Sequence, residues 1–126
     1  MNTGSADIAE YEAIAAVVQH YIDGARAGSG KTMKKAFRDE AWIMGAMADA
    51  SFIAPIQELF DRTDKRGPAP ELKAHIAAID IANTAATVRL ELDQWAGRRF
   101  TDFFTLIKAD GKWLIANKVF HLHGTA

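Results

Sequence analysis

The chain predicts an α+β fold, helices leading and antiparallel strands following, and three observations carry that expectation. Apolar residues recur at helical spacing near the start, and from Glu71 onward they follow strand patterns. The strand segments are separated only by short turn signals: Asn83, Ala96-Gly97-Arg98 and Asp110-Gly111. Turns that short join antiparallel neighbours, so the strands form a meander rather than parallel βαβ units.

Taken in order, Ile8, Tyr11, Ile14, Ala15, Val18, Tyr21, Ile22 and Ala25 predict an amphipathic helix from about Ala6 to Ala27. Asp7 and Glu10 suit its start, and Gly28 suits a left-handed stop. A short helix is expected from Thr32 to Phe37, then short strands at Ala41–Met47 and Ser51–Ile53 around Ala48-Asp49-Ala50. Pro55 fits the first turn of a third helix reaching Thr63, and Asp64–Pro70 reads as a loop. Four strands follow: Leu72–Ala82, Thr84–Trp95, Arg99–Ala109 and Lys112–Leu122. The first and third helices must then cover one face of the sheet, and a curved sheet closed by helices leaves a pocket between the layers.

Residues 1–126 fit one domain, long enough for a single core. Basic and acidic residues nearly cancel, with a formal net charge of -1, so overall charge favours neither nucleic acid nor an anionic membrane as partner. Cysteine is absent, which excludes disulfides, thiolate metal sites and a cysteine nucleophile. The first ten residues lack a basic, apolar export signal, and no segment approaches the ~20 apolar residues of a membrane span. A cytoplasmic location, no cofactor and no metal are expected. Gly28-Ser29-Gly30-Lys31-Thr32 imitates a phosphate loop, but that motif needs glycine where Ala25 stands, and a strand before it. It is expected to be a linker between helices.

The chemistry concentrates in the final hairpin. Phe100, Asp102, Phe104 and Leu106 share one strand face, so Asp102 is a lone acid in an apolar row. Buried there, it needs a partner or a proton. A three-residue turn at Ala109-Asp110-Gly111 would set Lys118 opposite Asp102, with Ala116 and Phe120 on the same face. A two-residue turn would set Val119 opposite, with Asn117 and His121 on that face. The first is preferred because it pairs acid with base. Asp102 is then either a proton-transfer group or half of a structural ion pair with Lys118. His121 is a candidate for an acid–base dyad with Asp93 or Asp102, although a terminal strand presenting His121 and His123 to solvent explains the pattern more simply. Tyr21 is the aromatic best suited to a polar role. Trp42, Met44, Phe60, Trp95, Phe104 and Phe120 are candidates to line an apolar cavity, and Trp113 to anchor the hairpin.

Four segments carry a resemblance to a known family: AIAAVVQHYIDGARAG (Ala13–Gly28), KKAF with RDEAW (Lys34–Trp42), API with QELF (Ala54–Phe60), and DQWAGRRFTDFFTLIKADGKWLIANKVFH (Asp93–His121). The chain resembles the nuclear-transport-factor-2-like superfamily, which includes ketosteroid isomerases and SnoaL-like cyclases, and within it the lumazine-binding type of small bacterial proteins. The resemblance implies a cone-shaped α+β fold, N-terminal helices packed on a strongly curved antiparallel sheet, and homodimers formed through that sheet. It departs at Ala48–Ala50, where relatives often carry glycine. Asp102 resembles the protonated aspartate with which ketosteroid isomerases hold the substrate oxyanion. Their catalytic base has no counterpart, since Trp42 and Met44 occupy that strand. Fold alone does not assign function. The expected function is binding of an unidentified small molecule in a pocket oriented by Asp102 and Lys118. The alternative is an isomerase, dehydratase or cyclase in which Asp102 transfers a proton next to a carbonyl, helped by Tyr21 or His121.

Overall fold

A computed structural model describes residues 7–47 and 49–124; Ala6 and Ala48, on which two expectations fell, lie outside them. Helix α1 spans Ile8–Ala27, α2 Gly30–Lys34 and α3 Gln57–Arg66. The strands are β1 Phe37–Met47, β2 Ala50–Pro55, β3 Lys73–Ala82, β4 Ala85–Trp95, β5 Arg98–Ala109 and β6 Lys112–His123. They form one six-stranded sheet in the order β2-β1-β6-β5-β4-β3. The meander β3 to β6 is antiparallel throughout, and β1 joins it in parallel with β6. The expected α+β class with helices on a curved sheet is therefore the observed one.

Local chemistry explains the helix ends. Asp7 caps α1 by accepting from the Glu10 amide, and Gly28 ends it in the left-handed conformation with φ 68°. Ile14, Val18, Tyr21, Ile22 and Ala25 form its buried stripe, whereas Ile8 and Tyr11, expected on that stripe, are exposed. Helix α2 begins two residues earlier than expected because Ser29 caps it, accepting from the Thr32 amide, and its Gly30 amide donates to the Asp64 carboxylate at 2.7 Å. An acid of this chain therefore already occupies the amide that the phosphate-loop pattern would have offered. Pro55 ends β2 rather than opening α3, and α3 continues through the expected loop to Arg66, where Gly67 stops it.

The hairpin between β5 and β6 determines everything inside. Its turn is the two-residue Asp110-Gly111, both at positive φ, with Ala109 paired to Lys112. Beyond it, Leu106 pairs with Ile115 but Thr105 pairs with Asn117, so Ala116 is an extra residue in β6. That bulge switches the buried set of β6 from the odd positions Trp113 and Ile115 to the even positions Lys118, Phe120 and Leu122. Asp102 consequently faces Phe120, and Lys118 faces Phe104. Neither expected register holds, yet Lys118 shares the inner face with Asp102, one diagonal step away.

Candidate functional site

Tyr21, Asp102 and Lys118 come together at the centre of the cone, drawn from α1, β5 and β6. The Tyr21 hydroxyl donates to Asp102 Oδ2 at 2.6 Å and accepts from Lys118 Nζ at 2.7 Å. Lys118 Nζ lies 3.7 Å from the same carboxylate oxygen, so the hydroxyl bridges acid and base. Exposure is 0% for Tyr21 and Asp102 and 3% for Lys118. Asp102 Oδ1 has no hydrogen-bond partner among the described residues, and neither does the buried Trp95 Nε1.

Burial governs the protonation of all three groups. Loss of solvent raises the Asp102 carboxyl above its ordinary value, against the opposing pull of Lys118 and Tyr21. Burial likewise lowers the Lys118 ammonium, with Asp102 opposing, and pushes the Tyr21 phenol well up. Moving one proton from Lys118 through Tyr21 to Asp102 turns two buried charges into a neutral amine and a neutral acid. The same desolvation favours that product at both ends.

Lys118 is the member of this chain that meets open space. A cavity of about 40 Å³ lies between α3 and the sheet, lined by Ile43, Met47, Phe52, Leu59, Arg62, Arg66, Trp95, Phe100, Lys118 and Phe120. Lys118 Nζ sits 4.9 Å from the Tyr21 ring centroid, 5.5 Å from that of Trp95 and 5.4 Å from that of Phe120, and these ring faces offset part of the desolvation of a positive charge there. Asp102 and Tyr21 lie behind it and do not line the cavity. The Arg66 guanidinium stacks 5.1 Å from the Trp95 centroid at the cavity wall, and Arg62 stacks 4.4 Å from that of Phe52.

Several candidates are placed elsewhere. Trp42 and Met44, at 44% and 40% exposure, sit on the outer face, because Ala41, Ile43 and Gly45 take the inner positions after an irregularity early in β1. Phe60 packs on Phe37 and Phe104 on Tyr21 in the core, and neither lines this cavity. His121 points outward, pairs with Thr101 and rests on the His123 ring at 4.8 Å, so it cannot reach Asp102. Among the described residues no group of three or more His, Asp and Glu is arranged to hold a metal, and no helix is long and apolar enough to cross a membrane. Trp113 anchors the hairpin as expected, buried and donating to Glu10 at 3.0 Å. Sequence reasoning missed Arg62 and Arg66; their i,i+4 spacing on an amphipathic helix was the available signal.

Helices closing a curved sheet over a buried polar cluster define a nuclear-transport-factor-2-like protein. Residues 9–121 match the family described as "Putative lumazine-binding", and the chain belongs to that family. It is 33% identical over 113 residues to an aldolase, FrzH, of Cladobotryum sp., spanning 89% of this chain and 90% of the relative. Among solved structures it is similar to a nuclear-transport-factor-2-like protein of unknown function from Methylobacillus flagellatus, with 37% identity, a TM-score of 0.93 and coverage of 97% and 98% of the two chains. A second such protein of unknown function, from Shewanella baltica, is 42% identical with a TM-score of 0.91 and coverage of 95% and 98%. A ketosteroid isomerase-like protein of Erwinia carotovora, 16% identical with a TM-score of 0.68 and coverage of 94% and 99%, shares the fold.

Proposed function

We propose that the cavity holds a small carbonyl compound and that the Lys118–Tyr21–Asp102 chain transfers protons at the carbon beside that carbonyl. The observation that carries this is a continuous hydrogen-bonded path from a buried acid to a cavity-facing amine. Enolisation, dehydration and aldol cleavage all need a proton moved at that carbon, and a positioned acid–base pair supplies roughly 10²–10⁴-fold. Similarity to an aldolase over nearly the whole chain supports the same chemistry. Lys118 is the group that would touch substrate, and Asp102 stores its proton through Tyr21. A panel of small β-hydroxy ketones, followed for release of aldehyde, tests this. Asp102→Asn should abolish turnover while keeping the unfolding midpoint within a few degrees. Unchanged turnover in that variant would remove Asp102 from the reaction.

Plain ligand binding is the second reading, favoured by the apolar walls around the cavity and by the family description. It expects ligand-dependent thermal stabilisation without turnover. A cavity of about 40 Å³ takes only a few water molecules, so a bicyclic pteridine enters only if Arg62, Arg66 and Phe52 swing outward.

Two copies are proposed to pair through the outer sheet face. Ile53, Met44, Val119 and Phe103 are exposed and stand side by side on β2, β1, β6 and β5, in one row across the strands. A two-fold axis would set this row against the same row of a second copy.

A further inference from the structure

We propose that Lys118 is a covalent anchor whose amine condenses with the substrate carbonyl, and that Arg66 selects substrates bearing a carboxylate or phosphate. The proposal deepens the proton-transfer function above by naming the bond formed and the substrate class. Lys118 is the one lysine buried among the described residues; Lys31, Lys34, Lys35, Lys65, Lys73, Lys108 and Lys112 all reach solvent. A solvated lysine is an ammonium ion at neutral pH and a poor nucleophile. Lys118 instead has an outlet for its proton, since Tyr21 lies 2.7 Å from Nζ and passes a proton to Asp102 at 2.6 Å. The step balances. The amine, the carbonyl and the Asp102 carboxylic acid give a protonated imine, one water and the Asp102 carboxylate. The C–N bond forms, both C–O bonds of the carbonyl break, and the departing oxygen gains two protons. Charge is created in place as an iminium–carboxylate pair, and the rings of Tyr21, Trp95 and Phe120 that surround Nζ favour the cation.

Arg66 supplies the selectivity. Arg62, one turn away, is engaged by Glu58 at 2.9 Å, whereas Arg66 has no carboxylate partner among the described residues. It lines the same cavity as Lys118, and burial together with the neighbouring Arg98 charge lowers its pKa. A cation crowded by cations on the wall of a largely apolar cavity is suited to an anionic group, which would bind in fork geometry. The carbonyl end of the same molecule would then reach Nζ.

Sodium cyanoborohydride trapping on the intact protein tests both parts, with pyruvate as the anionic probe and butanone as the neutral one. Pyruvate should leave a reduced adduct that peptide mass spectrometry maps to Lys118, and Tyr21→Phe should slow its formation. Arg66→Gln should cut pyruvate labelling roughly tenfold more than it cuts butanone labelling. Mapping uses the natural chain, so it stands even if Lys118→Met fails to fold. Label spread over the solvent-facing lysines with Lys118 unmodified overturns the covalent step. Equal loss of both labels in Arg66→Gln overturns the selectivity. Cleavage of β-hydroxy ketones without any Lys118 adduct also overturns the anchor while leaving the proton-transfer function standing. An adduct on Lys118 without turnover supports the anchor and removes that function.

Discussion

Asp102 on β5 and Glu91, beside it on β4, lie on opposite faces of one sheet, and their chemistry diverges accordingly. Asp102 points inward, has lost all solvent, and is driven toward its neutral form with a single tyrosine and a single lysine for company. Glu91 points outward, accepts from Thr101 at 2.6 Å and from Arg89 at 2.7 Å, and pairs with Arg99 at 2.8 Å. Those donors, Thr101 foremost, hold its carboxyl down to about 2. Two carboxylates on adjacent strands thus titrate in opposite directions because one is desolvated and the other is over-supplied with donors. The inner arrangement makes a proton easy to move, whereas the outer one fixes charge in place.

The strongest way to break the contrast is to remove the inner partner. Asp102→Ala takes from the buried Tyr21 hydroxyl its acceptor and leaves the Tyr21–Lys118 pair beside a void, and should cost about 3 kcal/mol in urea unfolding. The double variant Asp102→Leu/Lys118→Met should regain most of that loss. A single variant within about 0.5 kcal/mol of the parent would mean that the buried groups do not depend on one another.

Crowding the inner face comes next. A Cβ built on Gly45 would lie 2.5 Å from the Phe120 ring, which lines the cavity. Gly45→Ala should therefore push Phe120 toward Lys118, lower stability by roughly 1–3 kcal/mol in thermal unfolding, and slow any labelling at Lys118.

The two acids should also respond oppositely to pH. Glu91 has a depressed pKa, so its contribution is complete above about pH 4.5 and is lost as pH falls toward about 2. Asp102 has a raised one, so its contribution is greatest below the ordinary 3.8 and is lost as pH rises through the elevated value. Glu91→Gln should flatten the acid limb of the stability curve by about 1–2 kcal/mol, after allowance for solvent screening. An unchanged acid limb would show that the Thr101 and arginine contacts do not hold the charge.

Smallest in stability is a change to the outer row. Val119→Lys should shift the monomer's unfolding by no more than about 0.5 kcal/mol, because the side chain is exposed. It should nonetheless separate a dimer in analytical ultracentrifugation. A parent chain that sediments as a monomer would remove the proposed pairing.

Much of this molecule follows from local pattern. Period-two alternation around Asp102, a turn at Asp110-Gly111 and the helical stripe from Ile14 to Ala25 each depend on neighbours within a few residues and are found where the chain predicts them, although the turn holds two residues and not the preferred three. Trp42 and Met44 illustrate the limit. Large apolar residues suggest an inward face, but strand parity after the irregularity in β1 puts the smaller Ala41, Ile43 and Gly45 inside.

Sequence alone determined the α+β class, the order of elements and an acid on an apolar strand face, because alternation and turn chemistry are properties of short stretches. Tertiary structure decided the partners. The Ala116 bulge brings Lys118 inward, Tyr21 arrives from a helix eighty-one positions away to bridge acid and base, and Arg66 reaches the cavity only because α3 folds over β2 and the end of β4. Those distances are set by packing between elements, where one extra residue in a strand reverses every face beyond it.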